Sequence, residues 1–432
     1  MQITSMPIDS ITPYENNPRL NKKAINKVAG SLKEYGWRQP IVVDKDNIII
    51  VGHTRYEAAK KLKQKEVPVH VATGLTDEQV KAYRIADNRT GEDAAWDMDL
   101  LKLEITGLDA GGMDLSLTGF STLEIDEMFK EKQHRKTDVN DIPSIETIIT
   151  TQPGDMWQLG DHVLICGDST KRDTYDSLMG KQKADMVWTD PPYNINYESA
   201  DGKSIMNDHM PDEVFKNFLN HAFNACLQST KKGGAIYIAH ADTEGTNFRQ
   251  AMVESGWALK QCLIWVKDHF TLGCQDYQWQ HEPILYGWKP GGPHKWHGTF
   301  CHTTVQDGMK DLLESMEKDE LLKMLQAIYR DESTIIRIDK PKKSAEHPTM
   351  KPVALMIKLI KNSSARNNIV LEPFGGSGST LMACEDTGRR CRCIELDPKY
   401  CDVIIRRWQD YTGEYATMKG TGEYFNKRAD NE

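Results

Sequence analysis

The chain has 432 residues, 39% of them hydrophobic, and a formal net charge of −9. That length exceeds what one core usually serves and predicts two domains, while the acidic balance excludes a protein that coats nucleic acid nonspecifically. No run of eighteen apolar residues and no basic-then-apolar amino terminus occurs, and nine scattered cysteines form no disulfide framework, which together predict a cytoplasmic protein without a membrane span.

In chain order, residues 1 to about 74 alternate short apolar runs ("PIVV", "NIIIVG", "VPVHV") with helical patterns ("KAINKVAGSLKEYG", "RYEAAKKL"), a small α/β unit. Within it "GHTR", Gly52 to Arg55, turns from a strand into a helix, where free helix N–H groups and the Arg55 guanidinium suit an anion. "TDEQ" at Thr76 is a capping box that opens a further helix through "VKAYRIADNR". Helical extension to residue 130 completes the first domain. The polar, aperiodic "EKQHRKTDVNDIPSIE" marks an interdomain linker over 131–150.

A second α/β domain is expected over 151–432, with strands at "HVLICG", "ADMVWTD", "GAIYIAH", "LIWVK" and "NIVLEPF" and a long helix at "DEVFKNFLNHAFNACLQS". Such alternation predicts a mainly parallel, doubly wound sheet. At the end of the second of these strands stands "TDPPY", whose two prolines offer no N–H to a ladder and fix a rigid corner. Between 267 and 343 the pattern breaks, and "EPILYGWKPGGPHKWHG" brings Trp288, Lys289, Lys295, Trp296 and His297 together, side chains suited to stacking on bases and touching phosphate. His294, His297, Cys301 and His302 match no common zinc spacing, so no metal is predicted. "MKDLLESMEKDELLKMLQAIYR" has the apolar spacing of a packed helical insertion, and "DKPKKS" is a basic stretch able to meet phosphate.

The last motif is "NIVLEPFGGSGSTLMACEDTGRRCRCIELDPKY". A strand runs into Phe374, Gly375, Gly376, Ser377, Gly378, Ser379 and Thr380, then a helix, and the next strand ends in Glu395. Glycines allow close backbone approach to a ligand, and an acid at the second strand's tip accepts from two ribose hydroxyls, so the pattern predicts a nucleoside site. A Walker phosphate loop is excluded by the missing Lys.

Taken together, residues 151 to 416 resemble the amino-group DNA methyltransferases that use S-adenosylmethionine. "DPPY" is similar to their catalytic motif, "FGGSGST" to their cofactor loop, "HPTMKP" (His347 to Pro352) to a segment beside the methionine end of the cofactor, and "CGDS" (Cys166 to Ser169) to a segment near its adenine. The order of motifs resembles the permuted beta group; Glu372 stands where an Asp is common. The resemblance implies a doubly wound, Rossmann-like methyltransferase fold, with Asp168, Lys351, the 374–380 loop and Glu395 as cofactor contacts and a target-recognition region over about 267–343. It further implies that Asp190 and the Pro191 carbonyl accept the two hydrogens of an exocyclic amino group, that Pro192 stiffens the corner, and that Tyr193 stacks on a base flipped out of double-stranded DNA. Asp at the first motif position favours adenine; the alternative is the cytosine amino group. Carbon-5 chemistry is excluded because no Pro-Cys pair occurs.

Residues 3 to 75 resemble the ParB/sulfiredoxin fold through "ENNPR", "YGWRQPIVV" and "IIIVGHTRYEAAKKL". That resemblance implies an anion site at Gly52, His53 and Arg55, with a nucleotide or the DNA backbone as ligand, or else a scaffold that docks on DNA or a second subunit. Redox chemistry is excluded, since no Cys precedes Cys166. A homodimer is a candidate assembly. Either a restriction-modification or an orphan methylase fits, and the contrasting class is a noncatalytic ParB-like DNA-binding regulator.

Overall fold

A computed structural model describes residues 2–15, 17, 22–90, 96–129, 136–146, 148–195, 208–271, 276, 278–298, 335–338 and 351–429. The chain forms two compact units, Met1–Glu131 and Lys132–Glu432. Among the described residues no helix is long and apolar enough to cross a membrane.

In the first unit, strands β1 (Thr4–Pro7), β2 (Ile41–Val43), β3 (Ile49–Val51) and β4 (Glu66–Val71) form one sheet in the order β1-β4-β2-β3. Its core is made by the apolar runs read above: Ile41, Val43, Ile49 and Val69 are fully buried. Helices α1 (Lys22–Tyr35) and α2 (His53–Lys61) pack on each other and share a small cluster of Ala29, Leu32 and Ala58. Gly52 precedes α2 at φ 107°, where a side chain would be strained. Helix α3 (Asp77–Thr90) begins with the expected reciprocal cap: Gln79 N donates to Thr76 Oγ1 at 3.3 Å and Thr76 N to Gln79 Oε1 at 2.9 Å. Helices α4 (Met98–Ala110) and α5 (Thr122–Met128) follow, joined by a cluster of Leu101, Ile105 and Ile125.

The second unit holds a ten-stranded sheet. Its centre is five parallel strands, β8 (Thr230–Ala239), β7 (Ala184–Thr189), β12 (Ile369–Glu372), β13 (Arg390–Glu395) and β6 (His162–Cys166), in that spatial order. On one side the long antiparallel pair β9 (Ala258–Thr271) and β10 (Trp279–Trp288), with β11 (Ile335–Arg337), extends it; on the other β5 (Met156–Leu159) and β14 (Thr417–Met418) do. Successive side chains at the end of β7 enter opposite cores, Met186 and Trp188 on one face and Val187 on the other. Burial on both faces is why these strands read as unbroken apolar runs.

Helix α7 (Asp212–Ser229) covers one face through Phe215, Leu219, Ala222, Phe223 and Cys226, all fully buried at helical spacing. Helices α6 (Arg172–Met179), α8 (Gly245–Glu254), α9 (Val353–Ser363), α10 (Ser379–Thr387) and α11 (Pro398–Thr412) are also built around buried apolar side chains. Residues of the expected linker are held on this unit: the amides of Thr150 and Thr151 donate to the buried Asp402 carboxylate at 2.7 and 3.0 Å, and Arg407 donates to Val139 O at 2.8 Å.

One expectation needs correction. "EPILYGW", placed in a target-recognition region, is interior sheet: Ile284 and Leu285 are fully buried in β10. An apolar run bounded by Trp and Lys looks the same in sequence whether it is a core strand or a stacking platform. The insertion "MKDLLESMEKDELLKMLQAIYR", the basic "DKPKKS", His347 to Met350, Cys301 and His302 lie outside the described residues, as does part of "ENNPR".

Candidate active site

Parallel strands leave a crevice at their carboxyl ends where the connections diverge, and ligands bind there in open α/β sheets. Here the ends of β7, β12, β13 and β6 surround a cavity of about 480 Å³. The DPPY corner leaves β7, the glycine loop leaves β12, Glu395 ends β13, and Asp168 follows β6.

At the corner, the Asp190 carboxylate accepts from Tyr193 Oη at 2.6 Å and from Lys351 Nζ at 2.8 and 3.1 Å. Lys351 Nζ also donates to Tyr193 Oη at 2.8 Å and lies 3.1 Å from Glu282 Oε2, while Lys267 Nζ lies 2.6 Å from Glu282 Oε1. Two carboxylates and two ammonium groups thus alternate, with Lys351 buried and Asp190 a quarter exposed to the cavity. Burial disfavours the Lys351 ammonium, but Asp190 and Glu282 overcome it and raise its pKa above the usual lysine range. Burial likewise works against the Glu282 carboxylate, yet Lys351 and Lys267 hold it down at about 2. Burial, then the Asp190 and Glu282 charges, push the Tyr193 hydroxyl well up, so it stays a donor. The Tyr193 ring is fixed edge-on to Phe248, centroids 6.3 Å apart.

On the glycine-loop side, Glu372 is buried and accepts from Phe374 N at 3.0 Å and Thr380 Oγ1 at 2.9 Å, so it shapes the loop from beneath; burial holds its pKa well above the carboxylate range. Gly375 is required by packing, since a Cβ there would sit 2.6 Å from Cys393 Sγ. Arg407 donates to Ser377 O at 2.7 Å and pins the far side of the loop. Glu395 accepts from Gly376 N at 2.7 Å and Asp397 N at 2.9 Å, and burial pushes its pKa up to about 7. Asp168 accepts from Thr170 N and Oγ1 at 2.8 and 2.7 Å and lines the cavity with Phe374, whose ring is tilted against Phe218 at 5.8 Å. Ser379 Oγ, at the amino terminus of α10, is buried on the cavity wall without a hydrogen-bond partner. Acids at two strand tips, an aromatic wall and an unused hydroxyl fit a nucleoside ligand.

The structure therefore gathers Asp190, Pro191, Pro192, Tyr193, Asp168, Glu395 and the 374–380 loop around one cavity. Lys351, expected among the cofactor contacts, lines the same cavity and is bonded there to Asp190 and paired with Glu282. Glu282 and Lys267 were not anticipated. Their sequence signals are slight, the Glu of "HE" at the head of one apolar strand and the Lys that ends "LIWVK" in another.

The five residues assigned to DNA lie elsewhere. Trp288 pairs with Ala235, and Ala235 with Met186, four residues before Asp190 and about 14 Å down the ladder. From there the chain leaves at the amino-terminal ends of the parallel strands, and His297 N donates to Asn362 O near the end of α9. Lys289 Nζ donates to Leu227 O and Thr230 O at 2.7 and 2.9 Å, terminating α7, where cations are stabilised by unpaired carbonyls. Trp288 stacks on His294 at 4.2 Å, Trp296 packs against the core, and Lys295 is exposed. His294 Nε2 is bonded to Tyr286 Oη at 2.7 Å, and among the described residues no group of His, Cys, Asp and Glu is placed to hold a metal.

In the first unit, Gly52, His53 and Arg55 form the turn into α2. His53 Nε2 accepts from Tyr14 N at 3.3 Å, and burial followed by the Arg84 charge lowers its pKa to about 4, leaving it neutral at pH 7. Arg55 donates to Pro40 O at 2.9 Å and to Gln39 Oε1, so part of its guanidinium secures the turn.

Comparison with known proteins adds three family matches. Residues 184–406 match the family model described as DNA methylase, residues 1–88 that of the ParB N-terminal domain, and residues 99–153 that of the ParB-methyltransferase HTH domain. Among curated proteins, the chain is 26% identical over 234 residues to the DNA adenine methyltransferase YhdJ of Escherichia coli, covering 52% of this chain and 76% of that one. It is 39% identical over 80 residues to the ParB-like nuclease domain-containing protein YnaK of Escherichia coli, covering 18% of this chain and 92% of that one. Among solved structures, an M1.HpyAVI-SAM complex aligns at 21% identity and TM-score 0.40 over 56% of this chain and 97% of that one.

Proposed function

We propose, from the premise that the chain belongs to the DNA methylase family, that it transfers a methyl group from S-adenosylmethionine to the exocyclic amino group of adenine in double-stranded DNA. One observation carries the reading: the Asp190 carboxylate, held by N–H and O–H donors at a proline corner, faces the same cavity as the glycine loop and Glu395. S-adenosylmethionine supplies an electrophilic methyl group when bound. In this reading Glu395 accepts from the ribose hydroxyls, Asp168 and Phe374 hold the adenine end, and Ser379 Oγ donates to the ligand.

The amino nitrogen of adenine is a poor nucleophile because its lone pair is delocalised into the ring. Asp190 and the Pro191 carbonyl accept its two hydrogens, localise the lone pair and stabilise the positive charge that grows on nitrogen. The prolines keep both acceptors in place. A base reaches this corner only when flipped out of the duplex, at a few kcal/mol, and stacking on Tyr193 recovers about 1–3 kcal/mol. Asp at the head of the motif supports adenine over cytosine. The domain limits that accompany the reading are 1–130, a connecting 131–150 and 151–432, with the first serving to dock on DNA or a nucleotide.

Incubation of the full chain with tritiated S-adenosylmethionine and mixed-sequence duplex DNA tests the proposal, and modification sequencing then reports base and site together. Label in adenine is expected. Label in the cytosine amino group would replace adenine by the alternative, and binding without transfer would leave a noncatalytic regulator.

A further inference from the structure

The Lys351 ammonium makes one of the two contacts that the target amino group needs, the one to Asp190. It donates to both oxygens of Asp190 and to Tyr193 Oη, and with the Tyr193 hydroxyl it fills three of the roughly four acceptor positions of the Asp190 carboxylate. An ammonium has three N–H donors, and here they are shared among Asp190, Tyr193 and Glu282. For an amino group to bond to Asp190 on the side that Lys351 occupies, Lys351 must give up at least one oxygen without leaving its charge unpaired at a position where it is 6% exposed. Glu282 Oε2, already 3.1 Å away, is the acceptor that can receive it. Its other oxygen is held by Lys267 at 2.6 Å, which fixes the carboxylate and keeps the four charges balanced.

We infer that Lys351 is a placeholder for the target amino group and that Glu282, oriented by Lys267, is the positioning residue that takes the ammonium over when the base enters. The inference rests on the methyl-transfer reading above. It assigns Glu282 no contact with the base. Its work is to lower the cost of releasing Asp190 and to keep Lys351 close enough to reset the site when the product leaves.

The test compares wild type, Glu282→Gln, Lys351→Met and the Glu282→Gln/Lys351→Met pair in single-turnover methyl transfer with a DNA substrate found by modification sequencing, with S-adenosylmethionine Kd measured by calorimetry. For Glu282→Gln we expect the single-turnover rate constant to fall about 10- to 100-fold, the usual effect of a group acting through another, with cofactor Kd and DNA Kd within about threefold of wild type. In the Lys351→Met background the Gln substitution should cost little more, because a residue that acts through Lys351 has nothing left to act on. The charge-balanced Glu282→Gln/Lys267→Met variant repeats the measurement should Glu282→Gln alone not fold. Wild-type turnover in a folded Glu282 variant, or an equal further loss without Lys351, would overturn the inference. So would failure of both Glu282 variants to fold, which would make the group structural. Absence of transfer by wild type would instead count against the methyl-transfer reading itself.

Discussion

At pH 6 the protein should bind S-adenosylmethionine about tenfold more weakly than at pH 8, and Glu395 should be the reason. Burial lifts its folded pKa from the ordinary 4.5 to about 7, against the pull of the Gly376 and Asp397 amides. With that value the carboxylate is ionised in about one molecule in ten at pH 6 and about nine in ten at pH 8. A ribose whose hydroxyls donate to Glu395 selects the ionised form, so the apparent Kd is divided by that fraction, roughly 1.4 kcal/mol over the two units. The stability linkage has the opposite sense. Because the folded pKa is the higher one, the carboxylate costs nothing below pH 4.5 and its full penalty, about 3 kcal/mol, above pH 7; the unliganded protein should lose stability across that window. Calorimetry at pH 6, 7 and 8, in two buffers of different ionisation enthalpy, should show about half a proton released on binding at pH 7. Glu395→Gln should weaken binding at pH 8 and remove this dependence, which separates it from titration of the ligand's own amino group. A dependence that survives in the Gln variant, or none in wild type, would refute this placement of the ribose.

Asp190→Asn should lower methyl transfer by about 10²–10³ with S-adenosylmethionine binding retained, since it removes a preorganised charge and leaves the shape of the corner; calorimetry and single-turnover rates check both halves. Gly375→Ala should weaken cofactor binding while thermal unfolding stays cooperative, at a cost of about 1–3 kcal/mol, because the new Cβ meets Cys393 Sγ at 2.6 Å and forces the loop to move. Lys289→Met should leave DNA affinity unchanged and lower stability by about 1 kcal/mol in denaturant unfolding, having lost only its bonds to Leu227 O and Thr230 O at the end of α7. Arg55→Ala should reduce phosphate-dependent binding of duplex DNA or a nucleoside triphosphate to the full chain, measured with saturating S-adenosylmethionine present; steep weakening with salt identifies DNA, a gentle response the nucleotide. No Arg55-dependent binding of either would leave a scaffold.

Much of the molecule is written in short-range patterns. The cap at Thr76 and Gln79, the buried face of α7 from Phe215 to Cys226, and the apolar runs of β6, β7, β8 and β12 depend on residues within a turn or two of one another, and each was legible before any coordinates. The DPPY corner and the glycine loop were legible for a related reason: proline and glycine at those places restrict backbone shape whatever surrounds them. What the sequence could not order was which distant side chains meet. Glu282 reaches Lys351 only because β10 pairs beside β8 and β8 beside β7, a strand order that no local periodicity encodes. The same order carries Trp288 to His297 to the amino-terminal ends of the parallel strands, where Lys289 caps α7 and Trp288 stacks on His294. Composition sets what a side chain is able to bind; the burial and pairing that decide what it does bind come from tertiary contacts between segments far apart in the chain.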